Sequence, residues 1–256
     1  MNDQEILRRV DHTLLTPTAT WEQVKTICDE GREFSTASVC IPPRFVKKAA
    51  DYVGNSLKIC TVIGFPNGYS TPEVKVFETE DAVRNGADEI DMVINLGLAK
   101  AGDWEGVLRE IRAVKESCGG RILKVIVEAC QLTQEEKIAI CRVVSMSGAD
   151  FIKTSTGFST GGATVEDVKL FRERISPDLR IKAAGGIRTF EQARAMLEAG
   201  ADRIGASALV ALAREKKYSA EKTAPFRWNG ALFKYIGIQG ENQPWRNFRP
   251  MPLTAS

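Results

Sequence analysis

One short phrase recurs three times along the chain: "NGADEIDMV" at 85–93, "SGADFIKTS" at 147–155 and "AGADRIGAS" at 199–207. Each runs Gly, Ala, Asp and then a β-rich stretch. A glycine closes a helix in the left-handed conformation at small cost, so the phrase reads as a helix end followed at once by a strand. Gly86, Gly148 and Gly200 stand 62 and 52 residues apart, and each interval has room for two strand–helix units. Parallel strands need a crossover helix between them, and this spacing supplies one. A fixed period of this kind constrains the architecture before any single element is assigned.

Filling the intervals predicts strands over 9–14, 37–41, 57–63, 88–94, 122–128, 150–154, 180–184 and 202–206. Helices are predicted over 20–34, 43–53, 72–85, 103–117, 133–147, 164–174, 189–198 and 207–214. Thr133, Thr164 and Thr189 stand as caps ahead of first turns that contain acidic residues. Eight alternating units in 215 residues predict an α/β protein, a (β/α)8 TIM barrel. The even count and the lack of a dinucleotide-binding glycine fingerprint set the doubly wound sheet aside. Residues 1–215 form the expected barrel domain. Residues 216–256 are expected to be an irregular basic C-terminal tail and no separate domain, with four prolines, two tryptophans and seven Lys/Arg against two Asp/Glu.

Several functions are set aside by composition. A formal net charge of +2 over 256 residues gives no electrostatic case for nucleic acid or a membrane surface. No apolar run reaches the length of a membrane span, and "MNDQEILRRVDHTLL" has no signal-peptide core. The six cysteines form no C-x-x-C pair and read as buried residues of a reduced, cytoplasmic protein. His12 is the only histidine, so a zinc site built on two or three histidines is excluded, and a serine-hydrolase triad would have to use His12.

Three lysines sit inside predicted strands: Lys124 in "RILKVIVEA", Lys153 in "FIKTS" and Lys182 in "RIKAAGG". Burying an ammonium is unfavourable unless it has a partner or a task. Strand side chains alternate with period two, and the apolar alternates point to the helix layer. That places Lys124, Lys153, Lys182, Asp91 and Glu128 in one barrel interior. A satisfied ion-pair network is the plain reading, and three lysines on successive strands exceed what it requires. An interior lysine beside another cation is expected to have a depressed pKa and to act as an amine nucleophile toward carbonyls. The protonated imine is an electron sink that lets a C–C bond break without metal or cofactor. Asp91 is available to move protons. On this reading either Lys153 or Lys182 can be the nucleophile.

Glycine-rich stretches follow strands six, seven and eight: "KTSTGFSTGGAT", "AGGIRT" and "IGASA", the second with Arg188. Loops at this end of a barrel hold phosphate through backbone N–H groups, and three adjacent ones favour that use over plain turns. Asp88, Asp150 and Asp202 at strand starts read as structural. Cys40 reads as core, His12 as a core, hydrogen-bonding or catalytic residue, and Pro66 and Gly68 as a turn without an assigned role.

Across residues 9 to about 210, "DHTLL", "VCIPPRF", "TVIGFPNG", "GADEIDMVINLG", "LKVIVEACQLT", "GADFIKTSTGF", "KAAGGIRT" and "RIGASA" follow one another in an order that resembles the deoxyribose-phosphate aldolases. The resemblance implies a metal-independent class I aldolase that reversibly cleaves 2-deoxy-D-ribose 5-phosphate to acetaldehyde and D-glyceraldehyde 3-phosphate. It puts the Schiff-base lysine at Lys153, the second lysine at Lys182 and the acid/base aspartate at Asp91. Phosphate binding falls to Gly157, Gly185, Gly186 and Ser207. Lys124 and Asp11 are candidate supporting residues, and a homodimer is a candidate assembly. The chain departs from the family pattern at Ala208, where some members have a second serine, and at its end, "PLTAS", where long members have a tyrosine. A lyase for another phosphorylated sugar and a non-catalytic sugar-phosphate-binding barrel are the rival readings.

Overall fold

The computed structural model describes residues 1–223, 226–228 and 231–233. Eight parallel strands close on themselves in sequence order. They are β1 (Val10–Thr13), β2 (Ser38–Ile41), β3 (Ile59–Ile63), β4 (Glu89–Val93), β5 (Ile122–Ile126), β6 (Phe151–Lys153), β7 (Arg180–Ala184) and β8 (Arg203–Ala206). The seam closes through β1 and β8, with Val10 opposite Ile204 and His12 opposite Ala206. A closed sheet has no edge to protect, which suits strands of only three to five residues.

The helices lie where the pattern predicts them: α2 (Trp21–Glu33), α3 (Val46–Val53), α4 (Pro72–Arg84), α6 (Trp104–Ser117), α7 (Gln134–Met146), α8 (Val165–Arg174) and α9 (Phe190–Glu198). Thr133 and Thr189 form full capping boxes with Glu136 and Gln192, and the Thr164 side chain accepts from the Asp167 N–H. Two short helices escape the sequence pattern: α1 (Asp3–Leu7) and α5 (Leu96–Lys100). With five residues each, neither is long enough to show a period. Asn2 and Glu5 cap α1 reciprocally, and Ile6 and Leu7 are buried.

The recurring Gly-Ala-Asp phrase has one structural job. Each aspartate accepts a backbone N–H from the first or second residue of the preceding strand: Asp88 from Ile59 at 2.9 Å, Asp150 from Leu123 at 2.8 Å and Asp202 from Ile181 at 2.8 Å. Each also meets a cation, Lys58, Lys115 and Arg172 respectively. These aspartates staple neighbouring strands at the end of the barrel away from the loops that follow the strands.

Outward residues such as Ile90, Met92, Leu123, Val125, Ile152, Ile181 and Ile204 are fully buried against the helix layer. Parallel strands covered on both faces are expected to be this apolar on the outer side. The inner face is charged and carries the candidate site.

The last helix, α10, spans Ala208–Thr223, whereas the pattern ends it at 214. Residues 215–223 contain no Gly or Pro and are rich in Lys, Glu and Ala, so nothing stops the helix before Pro225. By contacts the chain divides into a unit of Met1–Val210 and a unit of Ala211–Ser256. The second unit holds an antiparallel pair, β9 (Phe226–Trp228) and β10 (Ala231–Phe233). The remainder of the tail, including its final residues "PLTAS", lies outside the described residues.

Candidate active site

Among the described residues, seven carboxylate, amine and guanidinium side chains converge inside the barrel: Asp11 on β1, Glu89 and Asp91 on β4, Lys124 on β5, Lys153 on β6, Lys182 on β7 and Arg203 on β8. Strand register creates the convergence. Asp91 is opposite Lys124, Lys153 is opposite Lys182, and Lys182 is opposite Arg203. Paired positions in neighbouring strands face the same side. Room for the Lys182 stem comes from Gly205, since a Cβ there would sit 3.1 Å from Lys182 Cε and 2.8 Å from Ala184 Cβ.

Asp91 is the hub. Its Oδ2 accepts from Lys153 Nζ at 2.8 Å and from Lys182 Nζ at 2.6 Å, and its Oδ1 accepts from Lys124 Nζ at 2.9 Å. Lys124 also meets Glu89 at 2.6 Å and Asp11 at 3.6 Å. Lys182 meets Asp11 at 2.5 Å, and Arg203 meets Asp11 at 2.6 Å and Glu89 at 3.3 Å. Among the described residues, Lys153 has one carboxylate contact, Asp91. Asp91, Lys124, Lys153 and Lys182 are all at most 3% exposed.

The expected depression of interior-lysine pKa is overturned for two of the three. Burial alone would push Lys182 down, but Asp11 and Asp91 beside it hold its ammonium above the ordinary lysine range. Burial acts the same way on Lys124, and Asp91, with Cys60, Asp11 and Glu89, overrides it upward. The sequence shows the crowding of like charges, while the carboxylates between the amines outweigh it in space. Burial would raise Asp91, yet Lys124, Lys153 and Lys182 hold it well below the usual carboxylate range.

Glu128 is not among these charges. β5 ends at Ile126, and Glu128 adopts a left-handed backbone with φ 50° and ψ 61°. Its carboxylate turns away from the lysines and meets Thr156. There it lines a cavity of about 300 Å³ at the loop end of the barrel, with Pro66, Leu96, Thr156 and Phe158.

Of the expected phosphate residues, the structure brings Gly157 and Gly185 together: a Cβ on Gly185 would lie 3.4 Å from Gly157 Cα. Both have positive φ, 84° and 86°, as does Gly186 at 78°. Among the described residues, their backbone N–H groups meet no protein acceptor. Ser207 is exposed just past β8, two residues after Gly205, which the register sets beside Ala184, the residue before Gly185.

Sequence reasoning misses three members. Arg203 sits in the "GAD" repeat and reads there only as the start of a strand. Its signal is period two, which sets it and Gly205 on one face. Cys60 reaches the cluster, its thiol donating to Asp91 Oδ1 at 3.2 Å, and burial pushes that thiol up. Ser155 is fully buried two residues past Lys153 on the same face, and its hydroxyl has no partner among the described residues. His12 faces the helix layer instead, with Nε2 2.8 Å from Glu30, which supports the hydrogen-bonding reading. Cys40 is fully buried.

A closed parallel barrel with amines gathered about one carboxylate at its axis is laid out for imine chemistry on a carbonyl substrate. The chain belongs to the DeoC/LacD family of aldolases, whose profile matches residues 5–215. It is 56% identical over 217 residues to the deoxyribose-phosphate aldolase of Streptococcus agalactiae serotype Ia, covering 85% of this chain and 97% of that one. The Streptococcus pyogenes serotype M4 protein of the same name is 56% identical over 216 residues, covering 84% and 97%. Among solved structures, the tetrameric deoxyribose phosphate aldolase of Aeropyrum pernix superposes with a TM-score of 0.79 at 32% identity, covering 84% of this chain and 92% of that one.

Proposed function

We propose that this protein reversibly cleaves 2-deoxy-D-ribose 5-phosphate to acetaldehyde and D-glyceraldehyde 3-phosphate, with Lys153 as the imine-forming amine. The observation that carries the assignment is the unequal tethering of the lysines. Lys182 is held by two carboxylates and Lys124 by three, whereas Lys153 has Asp91 alone among the described residues. Lys153 also stands at the end of β6, two residues before Ser155, whose hydroxyl has no partner among the described residues.

Lys153 Nζ, having passed one proton to Asp91, adds to the C1 aldehyde of the open-chain sugar, and loss of water with that proton's return gives the protonated imine. The C3 hydroxyl loses its proton, the C2–C3 bond breaks, and its electron pair enters the imine to give an enamine. Glyceraldehyde 3-phosphate leaves. Protonation at C2 and addition of water then release acetaldehyde and the free amine. Asp91 and Lys182 serve the proton transfers, because one Asp91 oxygen contacts both amines. Lys124 and Asp11 fix the charge of that pair. Gly157, Gly185, Gly186 and Ser207 take the phosphate at backbone N–H groups and the serine hydroxyl.

We place the enzyme in the cytoplasm, as a homodimer. All six cysteines are free thiols, and among the described residues no helix is long and apolar enough to cross a membrane. Val74 and Phe77, one turn apart on α4, and nearby Tyr69 are exposed, an apolar face for a second copy. Sedimentation velocity reads the assembly directly.

Borohydride trapping tests the chemistry. The protein is incubated with acetaldehyde, reduced and digested, and the modified lysine is located by mass spectrometry. Modification at Lys153 is expected. Modification at Lys182, or none on folded protein, overturns the assignment.

A further inference from the structure

Glu128 has a buried carboxylate, a left-handed backbone and no part in the chemistry above. Among the described residues, only Glu128 and Ser35 have positive φ without being glycine. A side chain holds that conformation only where its surroundings impose it. Here they do. The Gln131 N–H donates to the Glu128 carbonyl at 2.9 Å, and the next residue's N–H, Ala129, donates to the Thr154 carbonyl at 2.8 Å. The twist aims the side chain from the end of β5 across to the loop after β6.

What it meets there is specific. Glu128 Oε2 accepts from Thr156 Oγ1 at 2.5 Å, and both carboxylate oxygens lie 3.3 Å from the Thr156 N–H. Thr156 Oγ1 in turn accepts from the Phe158 N–H at 3.0 Å. The residues on either side of Gly157 are therefore both tied back to one buried carboxylate. Both neighbours' N–H groups are thereby bonded, while the Gly157 N–H meets no acceptor among the described residues and its Cα packs against the Gly185 turn.

We infer that Glu128 is a positioning residue that sets the loop after β6 in the shape that receives the substrate's phosphate. The inference rests on the phosphate reading of Gly157 and Gly185 given above. A carboxylate cannot itself face a phosphate favourably, so its part is to draw the loop's N–H and hydroxyl groups toward itself and not to touch the ligand. Its cost to the backbone is offset by hydrogen bonds to a charged acceptor, which are the stronger kind.

The test compares 2-deoxyribose 5-phosphate with unphosphorylated 2-deoxyribose for wild type, Glu128→Ala, Glu128→Gln and Glu128→Gly, with thermal melts as a folding control. Wild type is expected to prefer the phosphorylated sugar. If it does not, the phosphate reading itself fails, independently of Glu128. Given that preference, Glu128→Ala should raise KM for the phosphorylated sugar by about tenfold, the loss of one or two charge-assisted hydrogen bonds. The kcat, and kcat/KM for the unphosphorylated sugar, should stay within about threefold. Glu128→Gln keeps one acceptor and should fall between, and it decides the question if Glu128→Ala does not fold. Glu128→Gly relieves the backbone yet should match Glu128→Ala. Equal losses on both sugars, an unchanged KM, or a wild-type KM in Glu128→Gly would each overturn the inference.

Discussion

Asp91 holds together charges that do not balance. Among the described residues, three carboxylates, Asp11, Glu89 and Asp91, face four cations, Lys124, Lys153, Lys182 and Arg203. Removing one partner of a buried pair leaves the other charge uncompensated, whereas removing the surplus charge does not. Asp91→Asn should therefore lower the unfolding free energy by about 3–5 kcal/mol, and Lys153→Met by less than about 1 kcal/mol while abolishing turnover. Urea unfolding of the two variants checks this. The pH dependence has a definite sign. A carboxyl held below its ordinary range stabilises fully above about pH 4 and loses that contribution as pH falls toward its folded value. Lys182, held above the lysine range, stabilises below about pH 10 and loses its share as pH climbs past that. Wild type should thus lose more stability than Asp91→Asn between about pH 5 and pH 3. At this scale period two is enough to find the three lysines and Asp91. It fails at Glu128 because the strand stops at Ile126 and alternation has no meaning past a left-handed turn.

The elements are readable where a phrase has a mechanism. Glycine ends the helix, and the aspartate two residues later staples the next strand to the last, so "GAD" marks both a boundary and a hydrogen bond. Asp150→Ala should cost about 1–3 kcal/mol, from the Leu123 N–H left without its acceptor and Lys115 without its partner. Turnover of the folded fraction should be unchanged, because Asp150 lies at the start of β6 and the proposed imine lysine, Lys153, at its end. A drop in kcat at full folding would refute the purely structural role. Less is readable where the partner is remote in sequence. Lys75 on α4 is wholly buried, with Nζ bonded to Gly68 O at 2.6 Å, Val93 O at 2.8 Å and Glu110 at 2.6 Å. Glu110 on α6 also receives the Asn95 N–H at 2.9 Å. This pair explains the turn to which the sequence assigns no role. Gly68 packs so closely on β4 that a Cβ there would lie 2.0 Å from the Ile94 carbonyl, so only glycine fits.

At the scale of the molecule, closure decides what can be removed. The seam pairs Val10 with Ile204 and His12 with Ala206, so the first and last strands complete each other across nearly the whole barrel. Each cut through that seam exposes two sheet edges and also opens the charged interior, since Asp11 and Arg203 meet across it at 2.6 Å. Leu209 and Val210, at the start of α10, are fully buried, and the barrel unit ends there. The family profile ends at residue 215. A chain ending at Thr223 should therefore fold and cleave 2-deoxyribose 5-phosphate with kcat/KM within about threefold of the full chain, since it keeps the seam and every proposed site residue. A chain ending at Ala199 lacks β8 and should not give a cooperative unfolding transition. If the chain ending at Thr223 folds but loses more than about tenfold in kcat/KM, residues 224–256 take part in the reaction, and the barrel's interior is not sufficient for it.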